Sequence, residues 1–143
     1  MRRLLFLVVA LAIQACSGNS NSPSSTGNAF AQLAGNWTGN LQSSNFPTVA
    51  ITLQLSQTSG AVTGTWTSSS AATDWTGTVS GTASANSFTG MFTVSSPSAA
   101  AGGCNGTATV SGAAGGATLT WTSPGFTGSC SGEPANLTLN LQH

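Results

Sequence analysis

Few side chains in this sequence could carry chemistry, and they are scattered. The chain holds three cysteines (Cys16, Cys104, Cys130), two acids (Asp74, Glu133), one histidine (His143) and two arginines (Arg2, Arg3), with no lysine or tyrosine. General acid–base catalysis needs titratable groups close to one another. The two acids stand apart in segments that read as loops, where isolated carboxylates are ordinarily solvated. Ser–His–Asp chemistry would need His143, the last residue, to meet Asp74. A metal site would need a cluster of ligands at coordinating spacing, and no His–Cys grouping of that kind exists. The expectation is a chain that is not an enzyme and holds neither metal nor cofactor.

The cysteines divide into one and two. Cys16 follows Arg2 and Arg3 and an apolar run from Leu4 to Ile13. That run is too short for a helix to cross about 30 Å of hydrocarbon, which takes roughly 20 residues. It fits the apolar region of a secretory signal. Ile13, Ala15 and Cys16 resemble a bacterial lipobox, with Gln14 a less usual middle residue. The resemblance implies a signal peptide over residues 1–15, cleavage before Cys16, and acyl chains on that residue. Several chains at about 0.8 kcal/mol per buried CH₂ anchor a protein stably. The plain alternative is an ordinary signal peptide with a chance cysteine. Ser17, where an acid would mark inner-membrane retention in some bacteria, leans the expected location toward the outer membrane. In an oxidising envelope compartment the default for the remaining pair, Cys104 and Cys130, is a disulfide. Its loop closure would contribute roughly 3 kcal/mol.

After Arg3 the sequence holds no cationic side chain except a protonated His143. Nucleic-acid binding needs a cationic footprint to displace counterions, so a nucleic-acid partner is excluded. Residues 16–33 are rich in Ser, Asn and Gly and read as a flexible tether; residues 34–143 read as one domain.

The elements that position these groups are legible in a two-residue alternation. Trp37, Gly39 and Leu41 share one parity, followed by Val49 to Leu55, Val62 to Trp66, Trp75 to Gly81, Phe88 to Val94, Cys104 to Val110, Ala117 to Trp121, and Leu137 to Leu141. The opposite parity is polar, as in Thr63, Thr65 and Thr67 or Thr118, Thr120 and Thr122. Successive strand side chains point to opposite faces, so each strand has one dry face and one wet face. Eight such strands in sequence predict an all-β, antiparallel up-and-down barrel, which leaves no sheet edge open. An eight-stranded sandwich is the alternative. A barrel crossing a membrane is not expected, because its strands are longer and carry aromatic girdles.

Following strand direction in the barrel, Trp37 falls at the end where the tether enters, called here the bottom. Trp66, Trp75 and Trp121 fall at the top. Expected bottom turns are Gln57–Gly60, Ala83–Asn86 and Gly112–Gly115, while longer connections, Cys104, Cys130, Asp74 and Glu133 fall at the top. Glycines on the dry parity (Gly39, Gly64, Gly77, Gly81, Gly90, Gly106) allow two readings. Either tryptophan rings pack onto them and fill the barrel, or they leave a cavity.

Gly35-Asn36-Trp37 resembles the Gly-x-Trp signature of the lipocalin and avidin barrels, and Gly60 to Ser68 is similar to the third-strand segment of bacterial avidins, with Trp66 in place of their tyrosine. The resemblance implies a barrel whose pocket is lined by Trp66 and Ser68. Gly39 stands where the avidins carry a first-strand Asn, and neither their late acid nor the lipocalins' closing Arg has a counterpart. The resemblance therefore extends to fold and not to biotin. Two functional classes follow. One is a membrane-anchored barrel binding a small apolar or aromatic molecule, or a glycan, at Trp66, Ser68, Trp75 and Trp121. The other is a structural or interaction lipoprotein with a filled barrel and no ligand.

Overall fold

The computed structural model describes residues 30–44, 47–68, 74–96, 103–130 and 135–143. Eight strands follow one another: β1 (Gly35–Gln42), β2 (Val49–Thr58), β3 (Ala61–Ser68), β4 (Thr76–Ala83), β5 (Ser87–Ser96), β6 (Cys104–Gly115), β7 (Thr118–Gly125) and β8 (Ala135–Gln142). Each pairs antiparallel with the next, and β8 returns to β1 through Thr38↔Gln142 to Gln42↔Thr138. The sheet closes on itself as an up-and-down barrel, not a sandwich.

Alternation is why these residues form these strands. Val49, Ile51, Leu53 and Leu55 of β2 are buried, and Ala50, Thr52, Gln54 and Ser56 are exposed. The same pattern runs through β3 to β8, so hydroxyl and amide side chains cover the outside. Met91 is the one large hydrophobic exposed among the described residues. A barrel that crosses a bilayer turns its apolar parity outward; this one turns it inward.

One turn differs from expectation. β6 continues to Gly115, and the turn to β7 falls at Gly116, whose φ is +62°. Gly112 is not a turn residue but lies inside the strand, paired with Phe88 on one side and Trp121 on the other. A Cβ there would run into the Thr120 carbonyl, so glycine at 112 serves close strand approach.

The bottom is sealed by the chain itself. Residues 30–33, expected to end the tether, belong to the packed domain. Leu33 is fully buried and Phe30 packs on Gly60. Gln57 of β2 accepts a hydrogen bond from Leu33 N–H at 2.7 Å and donates to the carbonyls of Ala31 and Ser59 at 2.9 and 2.8 Å. Ala31 N–H donates to the Ser84 carbonyl, and the Trp37 indole donates to the Leu33 carbonyl. Backbone groups that a cap would otherwise bury unpaired are thereby satisfied.

Three places interrupt the ladder. Between β4 and β5 pairing skips from Thr76↔Ser95 to Val79↔Phe92. Between β6 and β7 it stops at Ser111↔Thr122, although β6 runs on toward the top. Between β7 and β8 it skips from Ser123↔Leu137 to Gly125↔Ala135, leaving Pro124 opposite Asn136, whose φ is +51°. Proline has no N–H to offer a ladder, and Asn tolerates a left-handed conformation better than most residues.

Candidate functional site

The tryptophans expected to line a mouth are core residues. Trp66 and Trp121 are 1% and 0% exposed, and Trp75 is 6% exposed. Trp66 stacks on Phe92 (centroids 5.8 Å apart, 28° between planes), Phe92 meets Trp121 edge-on at 5.9 Å, and Trp121 stacks on Phe88 at 4.3 Å. These four rings form a continuous chain of contacts within the buried core. Offset and edge-to-face contacts add about 0.5–1.5 kcal/mol each beyond burial.

Trp121 is not at the top. It lies mid-strand in β7, and its partner Phe88 is the second residue of β5, near the bottom. A position at the top requires a strand that ends at Trp121, whereas β7 runs on to Gly125.

Three of the six dry-face glycines, Gly77, Gly81 and Gly90, receive rings, while Gly39, Gly64 and Gly106 face neighbouring backbone. A Cβ on Gly81 or Gly90 would collide with the Phe88 ring, and one on Gly77 would collide with the Trp66 indole and the Thr93 carbonyl. The ladder gap at Gly77 is resolved by side chains. Thr78 N–H donates to Thr93 Oγ1 at 2.8 Å, and Trp66 Nε1 donates to the Thr93 carbonyl at 2.8 Å. Trp121 Nε1, by contrast, is buried without a hydrogen-bond partner among the described residues.

At the top of β3, Ser68 Oγ accepts from Trp75 N–H at 3.1 Å, and Ser68 N–H donates to the Trp75 carbonyl. Ser68 thus closes the end of the β3–β4 pair. Asp74 beside them accepts from the buried Ser96 hydroxyl at 3.0 Å. His143 lies at the bottom, its ring edge-on to Trp37 at 4.9 Å, so it does not meet Asp74. Among the described residues no group of His, Cys, Asp and Glu could hold a metal ion. Cys16 and Glu133 lie outside the described residues.

Cys104 and Cys130 form a disulfide with Cα atoms 5.1 Å apart. It pins a turn of 3-10 helix, Gly128–Cys130, to the start of β6. Ser129 Oγ binds both the N–H and the carbonyl of Asn105, and Thr127 N–H donates to the Thr107 carbonyl. Residues 127–130 therefore take the place beside upper β6 that β7 has left.

Sequence reasoning missed the consequence. Where β6 and β7 part, a groove of about 440 Å³ opens in the barrel wall. Thr109, Ser111, Thr122, Pro124, Asn136 and Thr138 stand around it, and Val110, Ser123 and Leu137, all buried, are reached through it. The only sequence signals were Pro124 within a strand and an outward run of hydroxyls.

No family model, curated protein or solved structure matches this chain.

Proposed function

We propose that the chain is an exported lipoprotein, anchored by acyl chains on Cys16 in the outer membrane, whose filled, lipocalin- or avidin-like barrel is a rigid interaction module and not a carrier of an internal ligand. The observation that carries this reading is the column Trp66–Phe92–Trp121–Phe88, which occupies the space a carrier would leave for its ligand. An eight-stranded barrel is just wide enough for side chains to fill. Polar uncharged residues on the outside and a chain entering through a sealed bottom support a domain held off a membrane. The tether then directs the Cys104–Cys130 end outward.

A ligand-binding barrel is the second reading, favoured by one observation. The Trp121 indole N–H is a buried donor without a partner among the described residues, and such a group calls for an acceptor. The anchoring is tested by Cys16→Ser. The substituted chain is expected in the soluble fraction, with the mass of the acyl groups lost from the purified protein. Retention in the membrane fraction would contradict the proposal.

A further inference from the structure

The groove between β6 and β7 has the composition of a binding site for an uncharged polyhydroxylated chain. Its volume falls within the roughly 300–1,000 Å³ usual for ligand pockets. Six hydroxyl residues, among them Ser111, Thr122 and Ser123, line it together with Asn136, and the Thr122 hydroxyl also donates to the Ser111 carbonyl at 3.3 Å. Each hydroxyl both donates and accepts. Val110, Leu137 and Pro124 put apolar surface between them.

One of these hydroxyls is buried. Ser123 is 6% exposed, and its hydroxyl makes local, weak bonds: it accepts from Gly125 N–H at 3.2 Å and reaches the Gly125 carbonyl only at 3.5 Å. Those distances lie at and beyond the upper limit of good hydrogen bonds. The other buried polar side chain among the described residues, Ser96, has a 3.0 Å bond to Asp74. Ser123 therefore retains bonding capacity at a point the groove reaches. The backbone there is also unusual, with Asn136 at φ +51° and Gly125 at φ +134°.

The lining selects among ligands. It carries no charged group, so an ionic ligand would give up hydration without a counter-charge. An alkyl or aromatic ligand would strip water from the hydroxyls and return no hydrogen bonds. A sugar ring offers hydroxyl edges and a C–H face together, which matches hydroxyls interleaved with Val110, Leu137 and Pro124. We infer that the groove binds a short stretch of neutral glycan against the outer wall of the barrel. This deepens the reading of the barrel as an interaction module, and it rests on that reading.

The test is an amide chemical-shift titration of the ¹⁵N-labelled full chain, purified from membranes in detergent micelles. Chitotriose and maltotriose are the probes, one an N-acetylated amino sugar and the other a plain glucan. Saturable, millimolar-range shifts with either, confined to Thr109–Ser111, Thr122–Ser123 and Asn136–Thr138, are expected. The paired substitution Thr122→Val and Ser123→Ala should weaken binding about tenfold, on the scale of two lost neutral hydrogen bonds. Ser111→Val serves as a second variant if that pair fails to give a native spectrum. No saturable shift with either sugar, shifts mapping elsewhere, or affinity unchanged in a folded variant would overturn the inference. Membrane partitioning of the same preparation reads out the anchor separately, so failure of the groove and failure of the lipoprotein reading are distinguishable.

Discussion

Trp66 and Trp121 are both buried indoles in one column of rings, yet only Trp66 has a hydrogen-bond partner among the described residues. Replacing either by Phe removes similar volume. Only Trp66→Phe also deprives the Thr93 carbonyl, at the ladder gap over Gly77, of its donor. Trp66→Phe should therefore lower the unfolding free energy by about 1–2 kcal/mol more than Trp121→Phe. Urea unfolding with equal m-values would show this; equal costs, or a larger one for Trp121→Phe, would contradict the assigned geometry. At this scale the sequence was partly legible. Parity alone turned Trp66, Trp75 and Trp121 inward. It does not say that Trp121 lies deep, because its depth depends on where β7 ends and on where the turn near Gly112–Gly115 falls. Gly112 has a packing reason instead, since the Thr120 carbonyl leaves no room for a Cβ.

At the scale of elements, the bottom seal shows how a loop becomes part of a core. Residues 30–33, Phe-Ala-Gln-Leu, directly follow the Ser- and Asn-rich tether, and the side chain that binds them most is Gln57 on β2. Nothing in local sequence links a glutamine to a segment more than twenty residues away, so this boundary was not legible. Gln57→Ala should cost about 1–3 kcal/mol, as three hydrogen bonds are lost and the Leu33 N–H is left without its acceptor. Hydrogen exchange at Ala31 and Leu33 should rise far more than at β5 or β6. Uniform change across the barrel would show that the segment is not a separately held cap. The wall groove was hidden for a related reason. It follows from where the β6–β7 ladder stops and the disulfide-pinned turn takes over, and register is a property of pairs of strands. The Cys104–Cys130 pairing itself was legible, because only two cysteines remain beyond Cys16.

For the whole molecule, the period of two was sufficient to fix the class of fold. Eight alternating runs give eight strands with one dry face each, and closure removes the exposed edges such strands would otherwise present. Whether the barrel is filled was not readable, because glycines on the dry parity allow either a cavity or a ring packed against backbone. At three of these positions a ring packs against backbone: Phe88 lies on Gly81 and Gly90, and Trp66 lies over Gly77. On the proposed reading, the filled interior makes a rigid body that would recognise partners with its outer wall. Intrinsic tryptophan fluorescence tests this most directly, because all four indoles are at most 6% exposed and three of them are within 1% of complete burial. Titration of the native chain with a panel of apolar and aromatic small molecules should leave the blue-shifted emission unchanged. A saturable shift or quenching, lost in Trp121→Phe, would contradict the filled barrel and place a ligand inside it.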